Sequence, residues 1–242
     1  MARRVLTLLA SVLAAALPPA LAQADASLMP EGASEMRVGA VYGSAPSAPG
    51  SATRSAFLLP QFSALWSNGV FIDGLALGRQ LSPDPLLEYG PLVALNLGAQ
   101  RADGGRTVQP VLGGFVRYTP LRELQLQAQL AAPVGRGEGG VVLHVRAGTR
   151  LDLAPHQWLE AGVGGAWADQ AYLRTDFGSA RFTPSAGVLA VSADLRWGWQ
   201  ISRKVTLTAS LQASLLQGDA AASPRTRQRT GWVNVLGISY SF

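Results

Sequence analysis

The chain has 242 residues, 48% of them hydrophobic and 14% charged, with no cysteine and a formal net charge of +5. The lack of cysteine excludes disulfides and thiolate chemistry. The basic excess is almost all arginine, Lys204 being the only lysine, and it is spread along the chain without the one-face clustering that nucleic-acid binding needs.

The chain starts with Arg3 and Arg4, followed by an apolar run from Val5 to Leu17 broken only by Thr7 and Ser11. That run is too short to cross a bilayer core of about 30 Å as a helix. Ala20-Leu21-Ala22 and Ala22-Gln23-Ala24 offer small-x-small cleavage patterns, so residues 1–24 are expected to be a secretory signal peptide and residues 25–242 the mature domain. No later segment has 18 consecutive apolar residues, which excludes helical membrane spans.

Weakly patterned strands are expected first, at Met36–Tyr42, Ser55–Trp66, Val70–Leu77, Leu87–Ala99 and Val108–Tyr118. Ser67-Asn68-Gly69 is a tight-turn signal between two of them, and Tyr118-Thr119-Pro120-Leu121 reads as a short connection, with its turn at 119–120. Cleaner alternation begins at Leu124–Leu130, where Leu124, Leu126, Ala128 and Leu130 alternate with Gln125, Gln127 and Gln129. In Val141–Leu153, apolar Val141, Leu143, Val145 and Leu151 alternate with His144, Arg146, Arg150 and Asp152. A weaker strand at Trp158–Trp167 is followed by clean ones at Leu189–Trp199, with Ser192, Asp194 and Arg196 on its polar face, and at Val205–Leu215.

The last segment, Trp232 to Phe242, places Leu236, Ile238, Tyr240 and Phe242 on one face and Gly237, Ser239 and Ser241 on the other. A terminal aromatic on such a strand resembles the sorting signal of bacterial outer-membrane barrels, here carried by Ile238, Tyr240 and Phe242. The clean segments run longer than typical soluble strands and suit a tilted membrane strand. Their charged face suits a wet lumen in which arginine and aspartate pair. The expected fold is all-β, a transmembrane antiparallel up-and-down β-barrel.

Counted back from a last strand that descends to the periplasm, short connections fall inside and long ones outside, as in bacterial barrels. On that count 217–230, 168–187, 132–139 and 100–107 are outer loops, and 200–204, 154–157 and 119–120 are periplasmic turns. Eleven segments are visible, whereas such barrels have an even number. Either Met36–Tyr42 does not span and the count is ten, or a further strand, for which 172–182 is the candidate, makes twelve.

Candidate chemistry is sparse. His144 lies on a polar strand face and His156 in a turn beside Pro155, and no serine–histidine–carboxylate constellation is evident. These two histidines, the only ones in the chain, give no metal-ligand spacing. Asp169, Asp176 and Asp219 fall in expected outer loops without calcium-loop spacing. No cofactor, metal or catalytic residue is expected. Arg225, Arg227 and Arg229 read first as a solvated loop, and second as a lipopolysaccharide contact, since guanidinium forks match phosphate oxygens. Trp66, Trp167, Trp197, Trp199 and Trp232 near strand ends fit aromatic girdles at the membrane interfaces.

Gly218-Asp219-Ala220-Ala221-Ala222-Ser223-Pro224, one strand before the end, resembles the Gly-Asp-Ala-x-x-Ser-Pro motif of the MipA/OmpV outer-membrane proteins. Tyr42-Gly43-Ser44, Leu59-Pro60, Tyr89-Gly90-Pro91, Gly114 to Tyr118, Trp167-Ala168-Asp169, Tyr172 and Phe177-Gly178 follow in matching order, so the resemblance covers residues 36–242. Ser44–Arg54 departs from it, being rich in Ala, Ser and Pro where the family has Tyr and acidic residues. The resemblance implies a bacterial outer-membrane location and contact with lipid and lipopolysaccharide. It also implies a scaffold that joins a periplasmic lytic transglycosylase to a murein synthase. A passive small-solute channel or an adhesin is the alternative, and an enzyme ranks last.

Overall fold

A computed structural model describes residues 29–100, 106–134 and 139–242. The expected signal peptide lies outside them. The twelve strands are β1 Ser34–Pro46, β2 Arg54–Trp66, β3 Val70–Asp73, β4 Ala76–Arg79, β5 Leu87–Gln100, β6 Arg106–Leu121, β7 Leu124–Pro133, β8 Val142–Ala154, β9 Gln157–Ala168, β10 Gly187–Gln200, β11 Val205–Leu216 and β12 Thr230–Ser241. Among the described residues two helices interrupt them, α1 Gln170–Phe177 and α2 Gly218–Ala222. Every strand pairs antiparallel with its sequence neighbour, and β1 pairs with β12, so the sheet closes on itself. Closure satisfies the backbone without a continuous edge in lipid, which is what a membrane-spanning sheet requires.

Period-two alternation decides which side chains face the lumen. Val145 on β8 and Leu195 on β10 are 49% and 45% exposed on the outer surface, where lipid lies. Their neighbours Arg146 and Asp194 point inward and pair across β9, with Arg146 Nε 2.9 Å and Nη2 2.6 Å from the carboxylate. Arg117 on β6 pairs with Glu88 on β5, and Arg150 on β8 lies 3.6 Å from Glu160 on β9. The wall beside these charges is thin. The Arg146 guanidinium fills the space over Gly148 and Gly162, leaving no room for a Cβ at either glycine.

The inner wall is polar on one side and apolar on the other. β7 to β11 present Gln127, Gln129, His144, Arg146, Asp194 and Gln212. β12, β1 and β2 present Val233, Val235, Val41, Phe57 and Leu59, which pack together.

The strand count is twelve, and it arises differently from either sequence alternative. Met36–Tyr42 belongs to β1, which spans. Val70–Leu77, expected as one strand, is instead two four-residue strands folded about Gly74 and Leu75, with Gly74 at φ 58°. Segment 172–182 supplies no strand. Asp169 accepts a hydrogen bond from the Tyr172 backbone N–H at 2.8 Å and caps α1 instead. The expected turn at 119–120 is a register shift within β6, and the turn itself falls at Arg122-Glu123. Thr119-Pro120 marks a bulge because proline lacks the N–H that a ladder needs.

Candidate functional site

The two ends of the barrel are built differently. At one end are the short turns 67–69, 122–123, 155–156 and 201–204. At the other end α1, α2 and the β1–β2 loop fold together. By the short-turn rule the first end faces the periplasm.

The outer end is an apolar cap. Leu173 and Phe177 of α1 and Ala220 of α2 are fully buried against strand-end residues Val142, Ala166, Ala168, Leu189 and Leu216. The residues singled out as a motif hold this cap together. Gly218 enters α2 at φ 49°, a conformation that favours glycine. The Asp219 carboxylate accepts two hydrogen bonds of 2.7 Å from Ser185, from the backbone N–H and from the hydroxyl, tying α2 to the β9–β10 connection. The same bonds, the backbone one first, hold the Asp219 carboxyl below its ordinary pKa. The Ser223 hydroxyl is buried, donates to the Phe177 carbonyl at 2.6 Å and accepts from the Arg225 N–H. Pro224 then ends the segment where no helix can continue.

Arg225, Arg227 and Arg229 do not form a strand stripe, since β12 begins only at Thr230. Arg225 donates to the carbonyls of Thr175 and Asp176 at the C-terminal end of α1, where a cation is favoured. The Arg227 and Gln228 N–H groups bond the Gly50 carbonyl and bring in the β1–β2 loop. Burial raises the pKa of Asp176, opposed by a hydrogen bond from Tyr172.

The short-turn end holds a cavity of about 730 Å3. It is lined by Glu35, Arg37, Gln61, Ser63, Arg150, Asp152, Trp158, Glu160, Arg196 and Arg203. Arg150 lies 4.8 Å from the centre of the Trp158 ring, a cation–π contact. Arg196 lines this space as well. The sequence pattern puts Arg150, Asp152 and Arg196 on the lumen face, whereas Trp158 appears in it only as the first residue of a weak strand. Trp158 stands two residues before Glu160 and so shares the face of that charged residue, which is the signal the sequence carries.

His144 faces inward opposite Gln129 and makes no hydrogen bond with a serine or carboxylate among the described residues. His156 sits in the β8–β9 turn at φ 67°. The two are not brought together, and no group of three or more potential metal ligands occurs among the described residues. Ile238, Tyr240 and Phe242 lie on the outer face of β12 at the short-turn end. The Tyr240 and Phe242 rings meet edge to face at 5.1 Å, and the Phe242 N–H bonds the Met36 carbonyl at 3.0 Å.

No curated protein sequence matches the chain. Among solved structures it is similar to the NanC porin, with 8% identity over 86% of this chain and 99% of that one and a TM-score of 0.50. It is also similar to an outer membrane channel from Pseudomonas putida F1, with 16% identity over 90% and 98% and a TM-score of 0.49. The Pseudomonas putida toluene transporter TodX matches at 9% identity over 89% and 90%, with a TM-score of 0.43. The first of these likenesses supports the outer-membrane barrel fold and nothing finer. Residues 38–242 match the family described as MltA-interacting protein MipA. The chain is an outer-membrane β-barrel and belongs to the MipA family.

Proposed function

We propose that this barrel is a scaffold of the outer membrane whose periplasmic rim brings a lytic transglycosylase together with a murein synthase. The family description supplies the class of partner. The asymmetry of the two ends carries the reading. The outer end is locked by α1 and α2, while the periplasmic end offers short turns around an open, charged cavity. Rigid turns on a closed barrel give a partner a fixed surface without an ordering cost. Arg203 and Lys204 in the β10–β11 turn, with Arg196 behind them, supply cationic contacts for an acidic partner face.

The test is capture of purified murein synthases and lytic transglycosylases by the intact barrel and by the double variant R203E/K204E. Retention by the native barrel and loss in the variant is the expected result. Failure of the native barrel to retain either enzyme class overturns the reading.

A passive channel is the second reading, and the cavity favours it. The Arg146–Asp194 and Arg117–Glu88 pairs project from the lumen face of its wall. Large, reproducible single-channel steps in planar bilayers with no captured partner decide for the channel.

A further inference from the structure

On the lipid side of the barrel, at its outer end, one cation stands among polar side chains. Arg54 is the first residue of β2, and its side chain reaches across β1 to β12. Its Nη1 donates to the Trp232 carbonyl at 2.6 Å. Its Nη2 lies 2.6 Å from the Ser44 hydroxyl, 3.2 Å from the Ser44 carbonyl and 3.0 Å from Asn234 Oδ1. The Ser44 hydroxyl in turn donates to Asn234 Oδ1 at 2.9 Å. Three strands thus hold one guanidinium in a fixed pose.

Strand periodicity turns these side chains outward. Ser44 shares the face of Tyr42, Arg54 that of Leu58, and Asn234 that of Leu236. Tyr42, Leu58 and Leu236 are all exposed on the outer surface, Leu58 at 71%. Asn234 stands eight residues before Phe242. That is about 27 Å along a tilted strand, which covers most of an apolar band about 25 Å tall. Trp232 lies above the polar set and Tyr42 below it, as in an interfacial girdle. The set therefore sits where the apolar band meets the outer-leaflet headgroups.

Among the described residues no carboxylate pairs with Arg54. A charge that faces lipid at the edge of the apolar band needs water or an anion beside it. The Nε–H and the second N–H of Nη1 make no bond with the described residues. Asn234 Oδ1 accepts from both Ser44 and Arg54, which leaves the amide N–H groups of Asn234 as further donors. Preset donors around a guanidinium match the oxygens of a phosphate. In the adjoining β1–β2 loop, the Ser47 and Ser51 hydroxyls lie 2.9 Å apart and those of Ser51 and Thr53 2.8 Å apart. Hydroxyls beside a phosphate-binding cation suit a phosphorylated sugar. The apolar surface of Tyr42, Leu58 and Leu236 beneath them suits the acyl chains attached to it.

We propose that Arg54, Ser44 and Asn234 form a docking site for a phosphate of outer-leaflet lipopolysaccharide. The site lies at the opposite end of the barrel from the periplasmic rim and does not rest on the scaffold role.

Native mass spectrometry of the folded barrel in detergent tests it. The probes are bisphosphorylated lipid A, the same lipid A stripped of both phosphates, and phosphatidylglycerol. The native chain is compared with Arg54→Gln and Asn234→Leu, each checked for heat-modifiable migration. The native barrel is expected to hold phosphorylated lipid A about tenfold more tightly than the stripped lipid, as charge-assisted hydrogen bonds allow. Arg54→Gln is expected to lose most of that preference. Asn234→Leu, which leaves the bonds of Arg54 to Ser44 and Trp232 in place, is expected to lose about threefold of it. Equal affinity of the native barrel for the two forms of lipid A overturns the site. A preference that survives in Arg54→Gln, or is unchanged in Asn234→Leu should Arg54→Gln fail to fold, overturns it too. Phosphatidylglycerol held as tightly as phosphorylated lipid A overturns the assignment to lipopolysaccharide.

Discussion

Arg146 on β8 and Asp194 on β10 join two strands that are not neighbours, reaching over Gly162 of β9 through two hydrogen bonds of 2.9 and 2.6 Å. The bridge exists because β9 carries Gly148's partner Gly162 and then Gly164 at lumen positions, so nothing from the intervening strand rises between the charges. The pair is mostly shielded, with side chains 21% and 18% exposed. Asp194→Asn leaves the guanidinium without its counter-charge and is expected to cost about 1–3 kcal/mol. The double variant R146Q/D194N is expected to recover part of that loss, because no lone charge remains. The temperature at which folded barrel converts to the slow-migrating form on gels measures both. Additive losses in the double variant would contradict a direct coupling.

A bulkier residue at Gly162 tests the same bridge from below. Gly162→Val places branched carbons where the guanidinium lies and forces Arg146 off Asp194. It is expected to destabilise at least as much as Asp194→Asn, whereas Gly165→Val, whose position is turned outward, is expected to be mild. Gel conversion temperatures that rank the two the other way would place the lumen register of β9 one residue off.

The outer cap is expected to loosen in acid. Bonds from Ser185 depress the pKa of Asp219 below its usual 3.8. A carboxylate with a depressed folded pKa stabilises fully above the unfolded value and loses that contribution as pH falls through the folded one. Limited proteolysis of the β9–β10 connection should therefore accelerate below about pH 3.8, and Asp219→Asn should remove most of that pH dependence. Ser223→Ala, which strips the buried Phe177 carbonyl of its donor, is expected to open the cap at every pH, at about 1–3 kcal/mol.

How much of this was legible in the sequence depended on how different the two faces of a segment are. β7, β8, β10, β11 and β12 alternate cleanly because lipid demands apolar side chains while the lumen accepts Gln, Arg and Asp, and their bounds shift by at most three residues between pattern and structure. Val70–Leu77 is apolar almost throughout, so periodicity could not show that it folds back on itself. Gly74, the glycine that a two-residue hairpin loop with positive φ at its first position needs, was the signal that could have done so. Thr119-Pro120 misled in the opposite direction, since a proline that bends one strand resembles a proline that ends it. α1 was hidden inside an expected loop, although Asp169 as cap and Leu173 and Phe177 four residues apart carry a helical signature. The charged cavity was half visible. Arg150, Asp152 and Arg196 stand on readable strands, but their convergence depends on strand order and closure.

The register of β10 makes a direct comparison possible. Leu195 faces lipid and Ser192 the lumen. An arginine on the lipid face near the midplane costs about 2–4 kcal/mol, and lumen substitutions cost less. Leu195→Arg is expected to fold poorly, and Ser192→Arg to migrate as folded barrel with a modest loss of stability. Reversed costs would mean that β10 is read in the wrong register.

β12 closes the barrel, and Phe242, just past its end, is tied to β1 and to its own strand. Phe242 bonds the Met36 carbonyl of β1 through its N–H and packs its ring on Tyr240, while its side chain is 73% exposed on the outer face. A terminal aromatic at this outward position resembles the sorting signal read during insertion. Phe242→Asp and deletion of Phe242 are therefore expected to reduce the heat-modifiable barrel recovered from outer-membrane fractions. Refolding of the same purified variants into detergent should change little, because the β1–β12 ladder from Arg37–Ser241 to Ser44–Asn234 remains. Equal recovery of variant and native barrel in the membrane would remove the sorting role from Phe242. A matching loss in detergent would reassign it to closure of the barrel.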